Sequence, residues 1–222
     1  MNTSYLITGA AKGIGRATAI ALASAGHTVI AASRGGIDVP GCVSLTLDVT
    51  SDVSIQNARA FIQSRNEKIA GLINNAGALI NQPFNTLVRE DFQYMAEVNW
   101  IGPAMLIQSL APCFTSDAHI VNISSMGGYQ GAAKYPGLSA YASSKAALVG
   151  LTECLQVEWG EKGWAFNVLC LGAVQTEMLS EAFPGYVAPT TPETMGAYIA
   201  SFVEMGHKTH AGAVLAVAKS NP

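Results

Sequence analysis

Residues 8–15 read Thr-Gly-Ala-Ala-Lys-Gly-Ile-Gly, between a short apolar run at residues 5–8 and an amphipathic run at residues 13–25. The periodicities predict a strand before the glycines and a helix after them. Glycines let a backbone turn tightly and approach a pyrophosphate, and the start of a helix directs free N–H groups at that anion. Neither Lys-Ser nor Lys-Thr follows the last glycine, which excludes a Walker A loop. The stretch therefore predicts a dinucleotide site, with a glycine-rich turn that binds nothing as the alternative.

The rest of the chain repeats the order of strand and helix. Further strands are predicted at residues 28–32, 43–47, 70–74, 119–123, 165–171 and 213–218, and further helices at residues 52–65, 89–114, 140–162 and 191–204. Pro103 and Pro112 predict a bend and an end in the helix at 89–114. Repeated strand–helix–strand units predict a mostly parallel, seven-stranded sheet with helices on both faces. Without a linker or an internal repeat, residues 1–222 are expected to form one doubly wound α/β domain of the Rossmann type.

The composition excludes several classes of protein. Half of the residues are hydrophobic and 12% are charged, yet no apolar run approaches the ~18 residues of a membrane-spanning helix. A net charge of −3 without a basic block argues against nucleic acid and anionic membranes as partners. The amino terminus lacks the features of a secretory signal, and the four cysteines are widely spaced, so we expect a cytoplasmic protein with free thiols. No histidine or cysteine pattern predicts a metal site.

The end of the second predicted strand distinguishes between the two nicotinamide cofactors. Enzymes that use NAD place an acidic side chain there, which binds the ribose hydroxyls and would repel a 2′-phosphate. Here Ser33 occupies that position, and Arg34 follows with a planar set of donors suited to a phosphate. Lys12, in the glycine loop, can approach the same phosphate. The pattern predicts NADP, NAD being less favoured; the alternative is that both cations are ordinary solvated charges.

A second group of polar residues follows later strands. Tyr141 and Lys145 are four residues apart in a predicted helix, so their side chains share a face. Residues 120–125 form a strand that ends in two serines, Ser124 and Ser125. These positions place a phenol, an amine and a hydroxyl near the carboxyl edge of the sheet, where ligands bind in such folds.

Together these stretches resemble the short-chain dehydrogenase/reductase family, in the branch with TGxxxGxG and YxxxK motifs. Residues 74–77 match its Asn-Asn-Ala-Gly motif, and residues 167–178 resemble its segment after the sixth strand, with Leu171 where proline is usual. The resemblance covers residues 4–217. It implies that Asp48 and Val49 hold the adenine ring. The residues expected at the cofactor are Gly9, Lys12, Gly13, Ile14, Gly15, Ser33, Arg34, Asp48, Val49, Asn75, Ala76, Gly77, Tyr141, Lys145, Val174 and Thr176.

The family's catalytic tetrad matches Asn99, Ser125, Tyr141 and Lys145, with Ser124 as the fallback serine. The resemblance implies hydride transfer between the nicotinamide and a carbonyl or alcohol carbon, with reduction favoured by NADP. We expect Tyr141 to transfer the proton, because a neighbouring ammonium and an oxidised nicotinamide lower the pKa of a phenol from about 10. Ser125 would bond the substrate oxygen, and Lys145 the nicotinamide ribose. Asn99 would bend its helix and hold a water that relays protons.

Two departures from the family pattern affect the substrate pocket. The loop at residues 126–140 is about three residues longer than is usual in the family, and the segment after Thr176 is brief. Loops tolerate such insertions without moving their ends. Solvent-facing positions are the alternative for the loop residues. The expected substrate contacts are Ser125, Met126, Tyr129, Tyr135 and Leu179.

Two long helices resemble the pair that forms the family's dimer interface. Ala146, Ala147, Gly150 and Cys154 form a strip of small residues on the second helix, which predicts a homodimer or homotetramer unless the strip packs inside the subunit. The alternative function is a catalytically silent NADP-binding regulatory protein. Such a protein is expected to lose a member of the tetrad, and none is missing here.

Overall fold

Seven strands form one sheet in the computed structural model, which describes residues 2–219. The strands are β1 (Asn2–Thr8), β2 (Thr28–Ser33), β3 (Val43–Thr46), β4 (Glu67–Asn74), β5 (Phe114–Ser125), β6 (Ala165–Leu171) and β7 (Val214–Val217). Their order is β3-β2-β1-β4-β5-β6-β7, and every pair of neighbours is parallel. The predicted doubly wound fold is confirmed, with all of these strands parallel. The order reverses between β1 and β4, where such sheets open a crevice for ligands.

Helices cover both faces of the sheet. They are α1 (Gly13–Ser24), α2 (Asp52–Ser64), α3 (Arg89–Ala96), α4 (Gly102–Leu110), α5 (Ser139–Trp159), α6 (Glu177–Ala182) and α7 (Pro192–Met205). Helices α1 and α7 share one hydrophobic cluster with the sheet, and α2 and α4 share the other. Successive residues of a strand serve opposite faces: Leu72 of β4 joins the second cluster and Ile73 the first. Burial on both faces accounts for the hydrophobic composition.

The predicted helix at residues 89–114 is wrong in its detail. Helix α3 passes through a π-helical turn, Glu97–Ile101, into α4, and β5 already begins at Phe114. Pro103 has no N–H to donate to the carbonyl four residues earlier, at Asn99, which favours a wider turn there. A Cβ at Gly102 would lie 2.6 Å from the Val49 carbonyl oxygen, so the turn packs closely on the loop after β3. The bend therefore falls on Asn99 itself.

No helix within residues 2–219 is both long and apolar enough to cross a membrane.

Candidate active site

The glycine loop adopts a backbone that side chains would disrupt. Gly9 and Gly13 have φ angles of 68° and 55°, in the left-handed region that favours glycine. A Cβ at Gly9 would lie 2.8 Å from the Cα of Ala76, and a Cβ at Gly15 would lie 2.5 Å from the Gly9 carbonyl oxygen. Helix α1 begins at Gly13, within this stretch, and the side chain of Lys12 does not cap it. The loop thus presents a close backbone surface and the start of a helix to an anion.

Residues of the Asn-Asn-Ala-Gly motif fasten this loop. The Thr8 hydroxyl accepts hydrogen bonds from the backbone N–H groups of Asn75, at 3.0 Å, and Ala76, at 2.9 Å. The Asn75 amide in turn donates to the carbonyls of Thr8, at 2.9 Å, and Gly9, at 3.3 Å. The side chain of Asn75 therefore holds the shape of the loop, with its amide nitrogen directed at the loop's backbone.

The carboxyl ends of β2 and β3 lie side by side. The Ser33 hydroxyl is buried and has no hydrogen-bond partner within residues 2–219, and Arg34 is exposed beside it. The Asp48 carboxylate accepts hydrogen bonds from the Thr50 N–H, at 3.0 Å, and the Thr50 hydroxyl, at 2.8 Å. These bonds lower the pKa of Asp48, and the charge of Arg34 adds to the effect. The ends of β2 and β3 thus offer a ligand one cation, Arg34, and one hydroxyl without a partner, that of Ser33. Val49 is buried in the core.

Lys145 is buried under the carboxyl end of β5. Its ammonium donates to the Ile123 carbonyl oxygen at 2.9 Å and lies 6.0 Å from the centre of the Tyr141 ring. Burial lowers the pKa of Lys145 to about 8. A Cβ at Gly77 would lie 3.4 Å from this ammonium and 3.3 Å from the Asn99 side-chain oxygen. Gly77 therefore keeps the space in front of Lys145 open.

Tyr141 stands one helical turn before Lys145, with the Ser125 hydroxyl beside its phenol. Burial raises the pKa of Tyr141, and the hydrogen bond with Ser125 opposes this effect only in part. The sequence interpretation predicted a lowered value. The residues of the chain alone do not lower the pKa of Tyr141. Desolvation has the largest effect, and the Lys145 ammonium donates its hydrogen bond to the Ile123 carbonyl oxygen instead. The phenol therefore stays protonated at neutral pH.

Asn99 lies in the π-helical turn and is completely buried. Its side-chain oxygen accepts from the Ala78 N–H at 3.0 Å, and its amide donates to the Ala78 carbonyl at 3.0 Å and the Ser144 hydroxyl at 2.9 Å. Both amide protons are thus used by the protein. A water held at this position would have to bond the backbone carbonyl, which Pro103 leaves without its usual helical donor.

Comparison with known proteins settles the family of this constellation. The family model of the short chain dehydrogenases matches residues 3–186. The chain belongs to the short-chain dehydrogenase family. It is 33% identical to the NADPH-dependent pterin aldehyde reductase of Arabidopsis thaliana, over 81% of this chain and 78% of that protein. The structure of 3-ketoacyl-(acyl-carrier-protein) reductase from Brucella melitensis complexed with NADH matches with a TM-score of 0.87 over 99% of this chain and 98% of that one, at 21% identity.

One relative is much longer than this short-chain dehydrogenase. An uncharacterized short-chain type dehydrogenase/reductase of Sinorhizobium fredii is 31% identical over 79% of this chain, which covers only 33% of that protein.

The two serines at the end of β5 have different environments in this short-chain dehydrogenase. Ser124 is buried, and its hydroxyl donates to the Lys145 carbonyl oxygen at 2.9 Å. Ser125 is partly exposed beside Tyr141, and its hydroxyl accepts from the Gly127 N–H at 3.1 Å. These environments favour Ser125 over the fallback Ser124, since the Ser124 hydroxyl supports the backbone of the helix that carries Lys145.

The structure corrects part of the expected substrate surface. Met126 is 5% exposed and packs on Val168 and Cys170, so it has almost no surface to offer a ligand. Tyr129 packs against the same cluster. The expected role of Met126 as a substrate contact is therefore wrong, whereas Tyr129 is partly exposed and its role stays a prediction. Tyr135 is 50% exposed in the loop, and Leu179 is half-buried in α6.

Gln175 and Asn81 organise the site, and the sequence analysis missed both. The Gln175 side chain accepts from the Ala188 N–H at 2.7 Å and donates to the Ser180 hydroxyl at 3.0 Å, so it fastens the base of the segment that contains α6. Asn81 donates to the Ala182 carbonyl at 2.8 Å, across a separation of 101 residues. No local pattern marks either residue; Gln175 stands only between two positions assigned to the cofactor.

An open cleft of about 890 Å³ flanks the outer side of the glycine loop. Lys12, Gly13, Gln175 and Thr176 line part of it, whereas Tyr141 does not. Thr176 also approaches the loop closely, since a Cβ at Gly13 would lie 3.3 Å from its methyl group. Within residues 2–219 no group of three or more histidine, cysteine or acidic side chains is arranged to hold a metal ion.

Proposed function

We propose that this short-chain dehydrogenase is an NADP(H)-dependent oxidoreductase that reduces a carbonyl compound to an alcohol. The observation that carries the proposal is the convergence of Ser125, Tyr141 and Lys145 at the carboxyl edge of the sheet. The phenol is protonated and has a serine hydroxyl beside it, and a buried ammonium lies one turn away. This is the protonation state that delivery of a proton to a reduced carbonyl oxygen requires.

The residues at the cofactor edge fit a nicotinamide dinucleotide phosphate. The glycine loop and the uncapped start of α1 suit its pyrophosphate. The buried Ser33 hydroxyl has an unused hydrogen-bonding capacity, and Arg34 is free to turn a cationic fork toward a 2′-phosphate. Lys12 lies 3.9 Å from Glu181 in an exposed pair, which is weak enough to exchange for a phosphate. The pterin aldehyde reductase named above, an NADPH-dependent enzyme by name, is consistent with this choice.

Each polar residue has a separate chemical task. A bound dihydronicotinamide supplies the hydride. Tyr141 donates its phenolic proton to the substrate oxygen, and Ser125 donates a hydrogen bond to the same oxygen, which stabilises its developing charge. The Lys145 ammonium holds the ribose and favours the phenolate that remains after proton transfer. The backbone carbonyl of Asn99 holds the water through which Lys145 and Tyr141 regain protons.

A variant of the proton donor tests this function. Consumption of NADPH is followed by absorbance with a panel of aldehydes and ketones, for the wild type, Tyr141→Phe and the control Tyr198→Phe. We expect Tyr141→Phe to lower kcat by about 10²–10⁴-fold, the contribution of a general acid, while NADPH still binds. The control, a half-exposed tyrosine of α7, retains full activity. Equal rates in Tyr141→Phe and wild type would remove Tyr141 from the mechanism.

A second variant tests the choice of cofactor. Arg34→Ala removes a charged hydrogen-bond donor, worth about 1.5–3 kcal/mol, so NADPH affinity should fall by roughly 10–100-fold. NADH affinity should change by less than about threefold, since NADH has no 2′-phosphate. Arg89→Ala, at the exposed start of α3, is the matched control. Fluorescence titration measures both affinities, and tighter binding of NADH than NADPH by the wild type would contradict the proposal.

We further propose that the protein forms a homodimer or homotetramer through α5. Ala146 and Cys154 are exposed on this helix, and Val157 is 84% exposed. A Cβ at Gly150 would meet nothing within 4 Å, so Gly150→Arg leaves the fold of one subunit undisturbed. Sedimentation velocity should show an oligomer for the wild type and monomers for Gly150→Arg. A monomeric wild type would contradict this assignment.

A further inference from the structure

Residues 78–83, which follow β4 and its glycine motif, touch both segments that flank the reacting groups. The Asn81 side-chain amide donates to the Ala182 carbonyl, the last residue of α6, at 2.8 Å. The neighbouring Gln82 N–H donates to the Gly137 carbonyl at 3.1 Å, in the loop that leads to Tyr141. One short segment therefore bridges α6 on one side and the loop before α5 on the other.

Gly137 fits this bridge only because it has no side chain. Its φ angle is 86°, and a Cβ there would overlap the Asn81 side-chain oxygen. The Asn81 side chain is thus wedged between the Gly137 backbone and the end of α6. The Asn81 side-chain oxygen faces Gly137, in the loop before α5, and its amide nitrogen bonds the Ala182 carbonyl of α6.

Helix α6 depends on such external contacts. It has six residues, whereas isolated helices below about 12 residues are marginal in water. The Thr176 hydroxyl caps its start by accepting from the Leu179 N–H at 3.2 Å. Its last carbonyls lack intrahelical donors, and Asn81 supplies one from outside the segment. The residues that follow are largely exposed, with Tyr186 at 50%.

We propose that Asn81 determines substrate size by latching α6 across the outer end of the substrate site. In this proposal a carbonyl compound bonded to Ser125 and Tyr141 would extend outward between residues 78–83 and α6, which the bond from Asn81 to Ala182 joins. The latch therefore selects small aldehydes and ketones and disfavours long-chain ones, whose binding requires that the bond break. This inference rests on the proposed reductase function.

Limited proteolysis of the full-length protein tests the latch without relying on activity. Chymotrypsin cleavage after Tyr186 should be about tenfold faster in Asn81→Ala and in Asn81→Asp than in the wild type. The aspartate keeps the shape of asparagine but cannot donate to the Ala182 carbonyl when ionised. Thr86→Ala is the control, because it removes a similarly exposed bond, from the Thr86 hydroxyl to the Pro83 carbonyl at 2.8 Å, which joins neither α6 nor the loop before α5. Equal cleavage of all four proteins, with equal melting temperatures, overturns the latch.

Two aldehydes test the consequence for substrate size. With NADPH, we expect the wild type to prefer propanal to octanal, and Asn81→Ala and Asn81→Asp to raise the octanal-to-propanal ratio of kcat/KM about tenfold through a lower KM for octanal. Thr86→Ala should leave the ratio unchanged. Faster cleavage with an unchanged ratio overturns the role in specificity. If the wild type consumes NADPH with neither aldehyde, the proposed reductase function is contradicted for both, while the cleavage rates still decide whether Asn81 holds α6.

Discussion

Lys145 and His119 are both buried ionisable residues that contact the same sheet, at different positions along β5. Lys145 lies under the carboxyl end and His119 nearer the amino end. Burial lowers the pKa of both, to about 8 for Lys145 and to about 4 for His119. Both groups therefore bear a desolvation cost, yet only Lys145 belongs to the proposed active site.

The two residues differ in how completely the protein satisfies them. The His119 ring uses both nitrogens: Nδ1 bonds the Val203 carbonyl at 3.0 Å, and Nε2 lies 2.9 Å from the Asn167 amide. The Lys145 ammonium has three protons, and within residues 2–219 its hydrogen bond is to the Ile123 carbonyl. Completed bonding indicates a structural role. Incomplete bonding at a buried cation indicates a group that awaits a ligand.

Replacement of Lys145 should have the largest effect on activity and a small effect on stability. Lys145→Met removes the charge at nearly constant volume, so we expect kcat/KM to fall by about 10²–10⁴-fold. The free energy of unfolding should change by no more than about 1–2 kcal/mol, because a lost hydrogen bond is offset by a lost desolvation cost. In the wild type, activity should decline above pH about 8, where Lys145 loses its proton.

Steady-state rates and denaturant unfolding measure the two effects separately. Lys208→Met, an exposed lysine near the amino edge, serves as the control. If Lys145→Met lost much stability but kept full activity, Lys145 would have the structural role that is assigned here to His119.

Acidification should reveal the opposite behaviour of His119. The pKa of its ring is depressed from 6.5 to about 4 in the folded protein, so between these values the unfolded state binds a proton that the folded state does not. Stability should therefore be complete above pH about 6.5 and decline as the pH falls toward 4, by at most about 3 kcal/mol. A protonated Nε2 would also face the Asn167 amide donor.

His119→Gln should flatten this dependence and lower stability at neutral pH, with little change in kcat. Urea unfolding at a series of pH values measures both quantities. A variant as steeply dependent on pH as the wild type would show that other groups carry the acid sensitivity.

The sequence predicted most of the fold because each strand and helix has a local signature. The apolar runs and the glycines of residues 8–15 are of this kind, and so is the four-residue spacing of Tyr141 and Lys145. The placement of Met126 had no such signature: a turn after a strand can fold inward or outward, and here Met126 packs inward against Val168 and Cys170. Asn81 and Gln175 act through backbone groups of distant segments, so no spacing in the chain could mark them.

The two serines of β5 give the most discriminating test. The Ser124 hydroxyl supports the Lys145 carbonyl, and a bond of this kind is worth about 0.5–1.5 kcal/mol, so Ser124→Ala should lower kcat/KM by roughly 2–10-fold. Ser125→Ala removes a donor to the reacting oxygen and should lower kcat by about 10²–10³-fold.

The pH profile of activity separates a positioning role of Ser124 from simple instability. In Ser124→Ala the loosened helix exposes Lys145 to water, so its pKa should rise from about 8 toward the ordinary value of lysine, and the decline in activity at alkaline pH should move upward with it. Ser125→Ala should leave that decline in place, because Ser125 does not support the backbone of α5. If Ser124→Ala instead loses as much activity as Ser125→Ala with the decline unmoved, Ser124 contacts the substrate and the contrast between the two serines is reversed.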